Sequence, residues 1–129
     1  MKIKLTESQY NRLITERKAA SLYYGRTYED ADRFLGPKSE KKISPNTILS
    51  RDNEDIIVTL YSTDIVRYKK NGSIVLDSGG HKTNTTANRI NDCIHGSVGS
   101  SKGVWYVRTN TDRAEFYDGV QIKSNGDVF

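Results

Sequence analysis

A single cysteine, Cys93, stands in the 129 residues, so no internal disulfide can staple the chain. That composition suits a reducing compartment. One cysteine and two histidines are also too few for a zinc site. Hydrophobic residues make up only 35% of the chain, and the mean hydropathy is −0.69. No apolar run approaches the roughly 20 residues of a membrane-spanning helix, so no membrane partner is expected. The opening Met1-Lys2-Ile3-Lys4-Leu5 lacks the apolar stretch of a secretory leader, and the cytoplasm is the expected location. Glycine spacing fits neither a P-loop nor a dinucleotide fingerprint, and no cofactor is implied. Length alone points to one domain with one modest core.

Large side chains are nonetheless present. Eight tyrosines, three phenylalanines and one tryptophan supply enough apolar surface to argue against disorder. The formal net charge is +4 and the pI near 9.2. The excess lies in the middle: residues 64–113 hold eight Lys or Arg against four Asp or Glu. A mildly basic face favours polyanionic partners, although surplus surface lysine is the plainer account.

Helical grammar comes first. Thr6 with Gln9 forms a capping box, and Tyr10, Leu13, Ile14, Ala20 and Tyr24 follow helical spacing, predicting a helix over about 7–24 with Gly25 as a left-handed stop. Thr27 with Asp30 repeats the cap, and a short helix over about 28–35 should close at Gly36-Pro37. Residues 38–55 are polar and unpatterned, and read as a connecting loop. From Ile56 the grammar is that of strands. Asn71-Gly72 between Asp64–Lys70 and Ser73–Asp77 predicts a two-residue hairpin loop with both residues at positive φ, pairing Tyr68 with Val75 and Arg67 with Leu76. A helix over about 86–95, capped by Asn84 or Thr85 and stopped by Gly96, should turn Ala87, Ile90 and Ile94 inward. Trp105–Arg108 reads as a strand, and Asp118-Gly119 and Asn125-Gly126 as further hairpin turns.

The densest chemistry is Ser78-Gly79-Gly80-His81-Lys82-Thr83-Asn84-Thr85-Thr86-Ala87-Asn88-Arg89-Ile90-Asn91. Two glycines allow close backbone approach, threonines line a helix start, and Lys82 and Arg89 add charge, which together would suit a phosphate. Helix capping accounts for many of the same residues. Gly99-Ser100-Ser101-Lys102-Gly103 matches a nucleophile elbow in letters only, because it follows a helix and leads into a strand. Cys93 and His95 stand two apart on a helix and point apart, which favours a buried thiol over a catalytic pair. Asp52, Glu54 and Asp55 fit a solvated loop better than a nuclease metal site, and Asp30 with Asp32 lack further metal ligands.

The run SGGHKTNTTANRIN after an Asn-Gly hairpin, then a strand with Trp105-Tyr106-Val107, resembles a widespread family of small phage proteins of unknown function. The resemblance rests on Ser78, Gly79, Gly80, Lys82, Thr83, Thr85, Thr86, Arg89, Ile90 and Asn91, over about residues 56–108. His81 stands where the family has an aromatic residue. The resemblance implies a phage origin, the cytoplasm of an infected bacterium and a shared β-body, and it carries no activity.

The expected fold is α+β: N-terminal helices, then a mostly antiparallel sheet with the 86–95 helix packed on it. Residues 1–37 form a helical arm, 38–55 the loop and 56–129 the β-rich body. No catalytic constellation stands out, which points away from an enzyme. Nucleic-acid binding would use Gly79, Gly80, Lys82, Thr85, Thr86, Arg89, Arg67, Lys69 and Arg108 on phosphates, with Tyr68, Trp105 and Tyr106 for stacking. A tyrosine-rich surface binding a host or defence protein is one alternative. A small phosphorylated ligand at the Gly79–Arg89 corner is another.

Overall fold

The computed structural model describes Tyr23 and residues 25–129. The helix expected over 7–24 lies outside the described residues. Gly25 does not take the expected positive φ. It is needed for close approach, because a Cβ there would collide with the Tyr23 ring and Asp30.

The fold is α+β, with two helices and nine strands among the described residues. Helix α1 spans Tyr28–Leu35. Its cap is the expected one: Thr27 Oγ1 accepts from Asp30 N at 3.1 Å, and Gly36 closes it at φ 58. Ala31 and Leu35, four apart, form its fully buried side.

Residues 38–55 are not a connecting loop. They form strands β1 (Glu40–Ser44) and β2 (Thr47–Asp52), turned at Pro45-Asn46 and paired antiparallel from Glu40↔Ser50 to Ser44↔Thr47. The pattern is weak because β1 is an edge strand bearing Lys41 and Lys42, while Ile43 of β1 and Thr47 and Leu49 of β2 carry the pair's buried contacts. Strand β3 (Asp55–Leu60) is nearly all buried, and β4 (Thr63–Tyr68) follows through a tight turn at Tyr61-Ser62. Strands β5 (Ile74–Leu76) and β9 (Val120–Ile122) complete a six-stranded antiparallel sheet in the order β1-β2-β3-β4-β5-β9.

The Asn71-Gly72 hairpin exists in a register one residue away from the expected one. Tyr68 pairs with Ile74 and Arg67 with Val75. Only Gly72 takes positive φ, at 97°, and its N–H donates to Lys69 O at 2.9 Å. Asn71 instead accepts from Ser73 N and Oγ at 2.9 and 2.7 Å. This side-chain turn adds one loop residue and shifts the register.

Helix α2 spans Asn84–Asp92. Its cap is Thr83, not Asn84 or Thr85, and Gly96 is not its stop, since Cys93 already ends the helix. A small second sheet holds β6 (Ser97–Ser101), β7 (Val104–Arg108) and β8 (Arg113–Glu115), paired antiparallel in that order. The Gly99–Gly103 run is thus strand plus a turn, with Lys102 and Gly103 at φ 54 and 79. The Asp118-Gly119 turn forms, but it links β8 of the small sheet to β9 of the large one. The Asn125-Gly126 turn returns the chain so that Val128 bridges Ile122.

One apolar cluster joins the layers. It includes Leu35 from α1, Leu49, Val58, Val66 and Leu76 from the large sheet, Ile90 from α2, and Val98, Trp105 and Val107 from the small sheet. At its centre Tyr68 is fully buried; its hydroxyl donates to Cys93 O at 2.7 Å and accepts from Tyr23 OH at 2.9 Å. Among the described residues no helix is long and apolar enough to cross a membrane.

Candidate functional site: the open face of the small sheet

The Ser78–Asn91 run is mostly a folding device. Ser78 is buried, and its N–H and hydroxyl both donate to Asp118 Oδ1, at 2.8 and 2.7 Å. Gly79 and Gly80 take positive φ of 61 and 82, and a Cβ on Gly79 would strike Thr63. Their N–H groups point at Asp77 Oδ1 and Ser78 Oγ. Thr83 Oγ1 accepts from Thr86 N at 3.2 Å, and Thr86 itself is buried. Ile90 is core, and Asn91 caps the edge of β6 by accepting from Val98 N at 2.6 Å and donating to Val98 O at 3.1 Å.

The two cations of that corner face elsewhere. Lys82 lies 5.9 Å from the Phe116 ring centroid. Arg89 pairs with Asp92 at 3.4 Å and reaches Ser44 Oγ at 3.5 Å, with its buried Nε unpartnered. Thr85 is exposed. The Gly79, Gly80 and Thr86 N–H groups are therefore aimed at the protein's own oxygens.

Two other expected phosphate contacts are also engaged. Arg67 bridges Asp52 and Asp55 at 3.0 and 2.9 Å, and Lys69 approaches Asp55 at 3.8 Å. Two of the expected stacking residues cannot stack. Tyr68 is enclosed, and Trp105 is 8% exposed with its ring edge-on to Phe116 at 5.4 Å. Both alternate inward because their neighbours Arg67, Tyr106 and Arg108 alternate outward.

What converges is the outer face of the small sheet. Trp105 and Val107 point inward from β7, so Val104, Tyr106 and Arg108 point out. The register places Gly99 of β6 and Glu115 of β8 on either side of Tyr106. It also sets Arg108 directly opposite Arg113, with Ser97 on the other side. The Arg113 guanidinium lies 4.0 Å from the Tyr106 ring centroid. A shallow hollow of ≈ 230 Å³ runs between Tyr106, the two arginines, Gly99 and the β6 serines. Gly99 leaves it open, since a Cβ there would meet nothing within 4 Å.

Electrostatically this pair stands apart. Arg33, Arg51, Arg67 and Arg89 each pair with a carboxylate, and Arg26 donates to Ile94 O at 2.8 Å. Among the described residues, neither Arg108 nor Arg113 has an acid within ion-pair distance. Like charges directly opposite on a sheet destabilise it. Arg113 was missed as a site residue from sequence. Its signal was a strand ending in Arg108 and resuming at Arg113 after the turn Thr109–Asp112, where Thr109 N donates to Asp112 O at 2.9 Å.

Cys93 does not form a reactive centre. It is buried, and burial pushes its thiol up to about 12. His95 is exposed on the chain leaving the helix. No group of three His, Cys, Asp or Glu side chains among the described residues could hold a metal.

A family model described as the Kyanoviridae Gp96 protein matches residues 34–123, well over half of the chain. No curated protein and no solved structure matches.

Proposed function

The chain belongs to the Kyanoviridae Gp96 protein family, a phage protein family, and from that footing we propose that it is an accessory protein binding nucleic acid on the open face of its small sheet. The observation that carries this reading is the Arg108–Arg113 pair, opposed across two strands with no acid within ion-pair distance among the described residues and set beside Tyr106. Two guanidiniums on one face supply phosphate contacts, and a tyrosine with an arginine on its ring supplies a stacking surface. The hollow beside Gly99 leaves room for an unpaired base. The serine hydroxyls of β6 add sequence-tolerant hydrogen bonds. Gly79, Gly80, Lys82, Thr85, Thr86, Arg89, Arg67 and Lys69 serve the fold in this reading, and Arg108 and Tyr106 remain from the residues expected to bind.

The test is anisotropy of labelled single-stranded and duplex oligonucleotides at two salt concentrations. Arg108→Ala and Arg113→Ala are each expected to lower the salt slope by about one unit. Tyr106→Ala should weaken single strands by about 1–3 kcal/mol and duplex less. Lys42→Ala, on the outer strand of the large sheet, should change little. Absence of salt-dependent binding, or three alanine variants that bind like the parent, would overturn the reading.

A second reading, docking to a host protein, has one specific observation behind it. Tyr61 is 74% exposed and held at φ 56, a conformation that costs an aromatic residue energy. Exposed tyrosines anchor interfaces. Tyr61→Gly should then raise stability while abolishing capture of a host partner.

A further inference from the structure

A cleft of ≈ 350 Å³ lies away from the small sheet's outer face, where turns from both sheets meet the start of α1. Its floor is apolar: Ile94 and Ile122 are buried, and Ile74 is half-buried. Its walls are fastened to one another. The Thr109 hydroxyl donates to Gly126 O at 2.5 Å, and Thr111 Oγ1 donates to Asn125 O at 3.3 Å. Gly72 lies so near Ser124 that a Cβ would come within 3.0 Å of the serine Cβ. The Arg26 guanidinium donates to Ile94 O at 2.8 Å. These contacts hold the stretches around Gly72, Thr109 and Ser124 together, and separately tie Arg26 to the chain at Ile94. An apolar floor with a few convergent polar groups is the usual make-up of a small-molecule site.

The rim carries a charge preference. Arg26, Lys123 and His95 line it against one carboxylate, Glu29. Among the described residues no acid lies within ion-pair distance of Arg26 or Lys123. The Lys123 ammonium rests 4.4 Å from the Phe129 ring centroid, which orients it without neutralising it. Two permanent cations against one carboxylate suit a monoanion better than a polyphosphate.

We infer that this cleft binds a small organic monoanion, a carboxylate or sulfonate carried on an apolar or aromatic body. The isoleucines take the body, and Lys123 and the free side of Arg26 take the anion. This site is independent of the nucleic-acid reading, because none of the residues lining it lines the hollow beside Tyr106.

The test uses 8-anilinonaphthalene-1-sulfonate and its uncharged analogue N-phenyl-1-naphthylamine on the full chain, followed by fluorescence, with a melting curve for every variant. The sulfonate should bind saturably at one site, and an oligonucleotide should not displace it. Lys123→Gln should weaken the sulfonate on the order of tenfold and leave the uncharged probe nearly unchanged. Ser124→Trp should fill the cleft and abolish both. Lack of saturable sulfonate binding would overturn the proposal. So would a Lys123→Gln variant that melts like the parent and binds the sulfonate equally well, which keeps the test decisive even if Ser124→Trp does not fold.

Discussion

Seven arginines fall within the described residues, and five direct their charge at the protein's own oxygens. Arg51 shows how much structure one such side chain organises. Its guanidinium reaches Asp32 Oδ1 and Gly36 O at 2.8 Å each, tying β2 to the end of α1. Among the described residues Arg108 and Arg113 pair with no carboxylate, and that contrast marks them out. The buried Tyr68 hydroxyl gives the first residue-scale prediction. Tyr68→Phe leaves Cys93 O without its donor and Tyr23 OH without its acceptor, so it should cost about 1–3 kcal/mol in urea denaturation. A loss under about 0.5 kcal/mol would mean that water replaces the hydroxyl. Cys93 gives a second prediction. With its thiol buried and raised to about 12, it should resist a disulfide reagent at pH 8 until the chain unfolds. Rapid labelling of the native protein would contradict this packing.

At the scale of elements, turns decide more than strands do. Gly72 at φ 97 is both strained for any side chain and close to Ser124, whereas Asn71 acts only through its side-chain acceptor. Gly72→Val is therefore expected to lose about 1–3 kcal/mol, and Asn71→Ala about 1 kcal/mol or less. Equal losses would restore a turn that needs positive φ at both residues. Thr83→Ala should cost about 1 kcal/mol and Thr85→Ala close to nothing, because Thr83 alone receives the Thr86 N–H. Equal effects would move the cap. The Ser78–Asn91 run thus owes its density to the joints it makes: a strand exit sealed by Asp118, a capped helix, and an asparagine closing the β6 edge.

At the scale of the molecule, three carboxylates connect acidity to stability. Asp30 accepts from Arg26 N, and Asp112 from Val128 N and Arg113 N; these backbone donors hold both below their ordinary value. Burial works the other way at Asp118, but the Ser78 hydroxyl and N–H, together with the Gly80 N–H and the Lys82 charge, outweigh it and leave that group lowered too. A folded value below the unfolded one means that the unfolded chain binds more protons in acid. Their contribution is therefore complete above the ordinary value of 3.8 and is lost as the pH falls through the lowered ones. The melting temperature should drop as the pH passes below about 4. Asp118→Asn should melt lower at neutral pH and decline less steeply in acid; parallel curves for variant and parent would refute the assignment.

The sequence by itself determined the α+β class, α1 with its Thr27 cap, the strands between Ile56 and Leu76, the Trp105–Arg108 strand, and the places of the glycine turns though not the register at Asn71-Gly72, because caps and turns are written in adjacent residues. It did not reveal β6, nor β1 and β2: the edge position of β1 lets Lys41 and Lys42 occupy a strand that an apolar pattern would not predict. It could nominate Arg108 and Tyr106, but not separate them from Arg67, Lys69, Arg89, Tyr68 and Trp105, which carry the same chemistry. Only the tertiary structure shows which of these side chains meet an acid or are buried in the core. Whether an arginine meets its own acid, or a ring faces core or solvent, depends on strand register and on contacts between residues far apart in the chain. The Arg108–Arg113 opposition exists because a four-residue turn brings two strands into line, and that alignment is a property of the sheet.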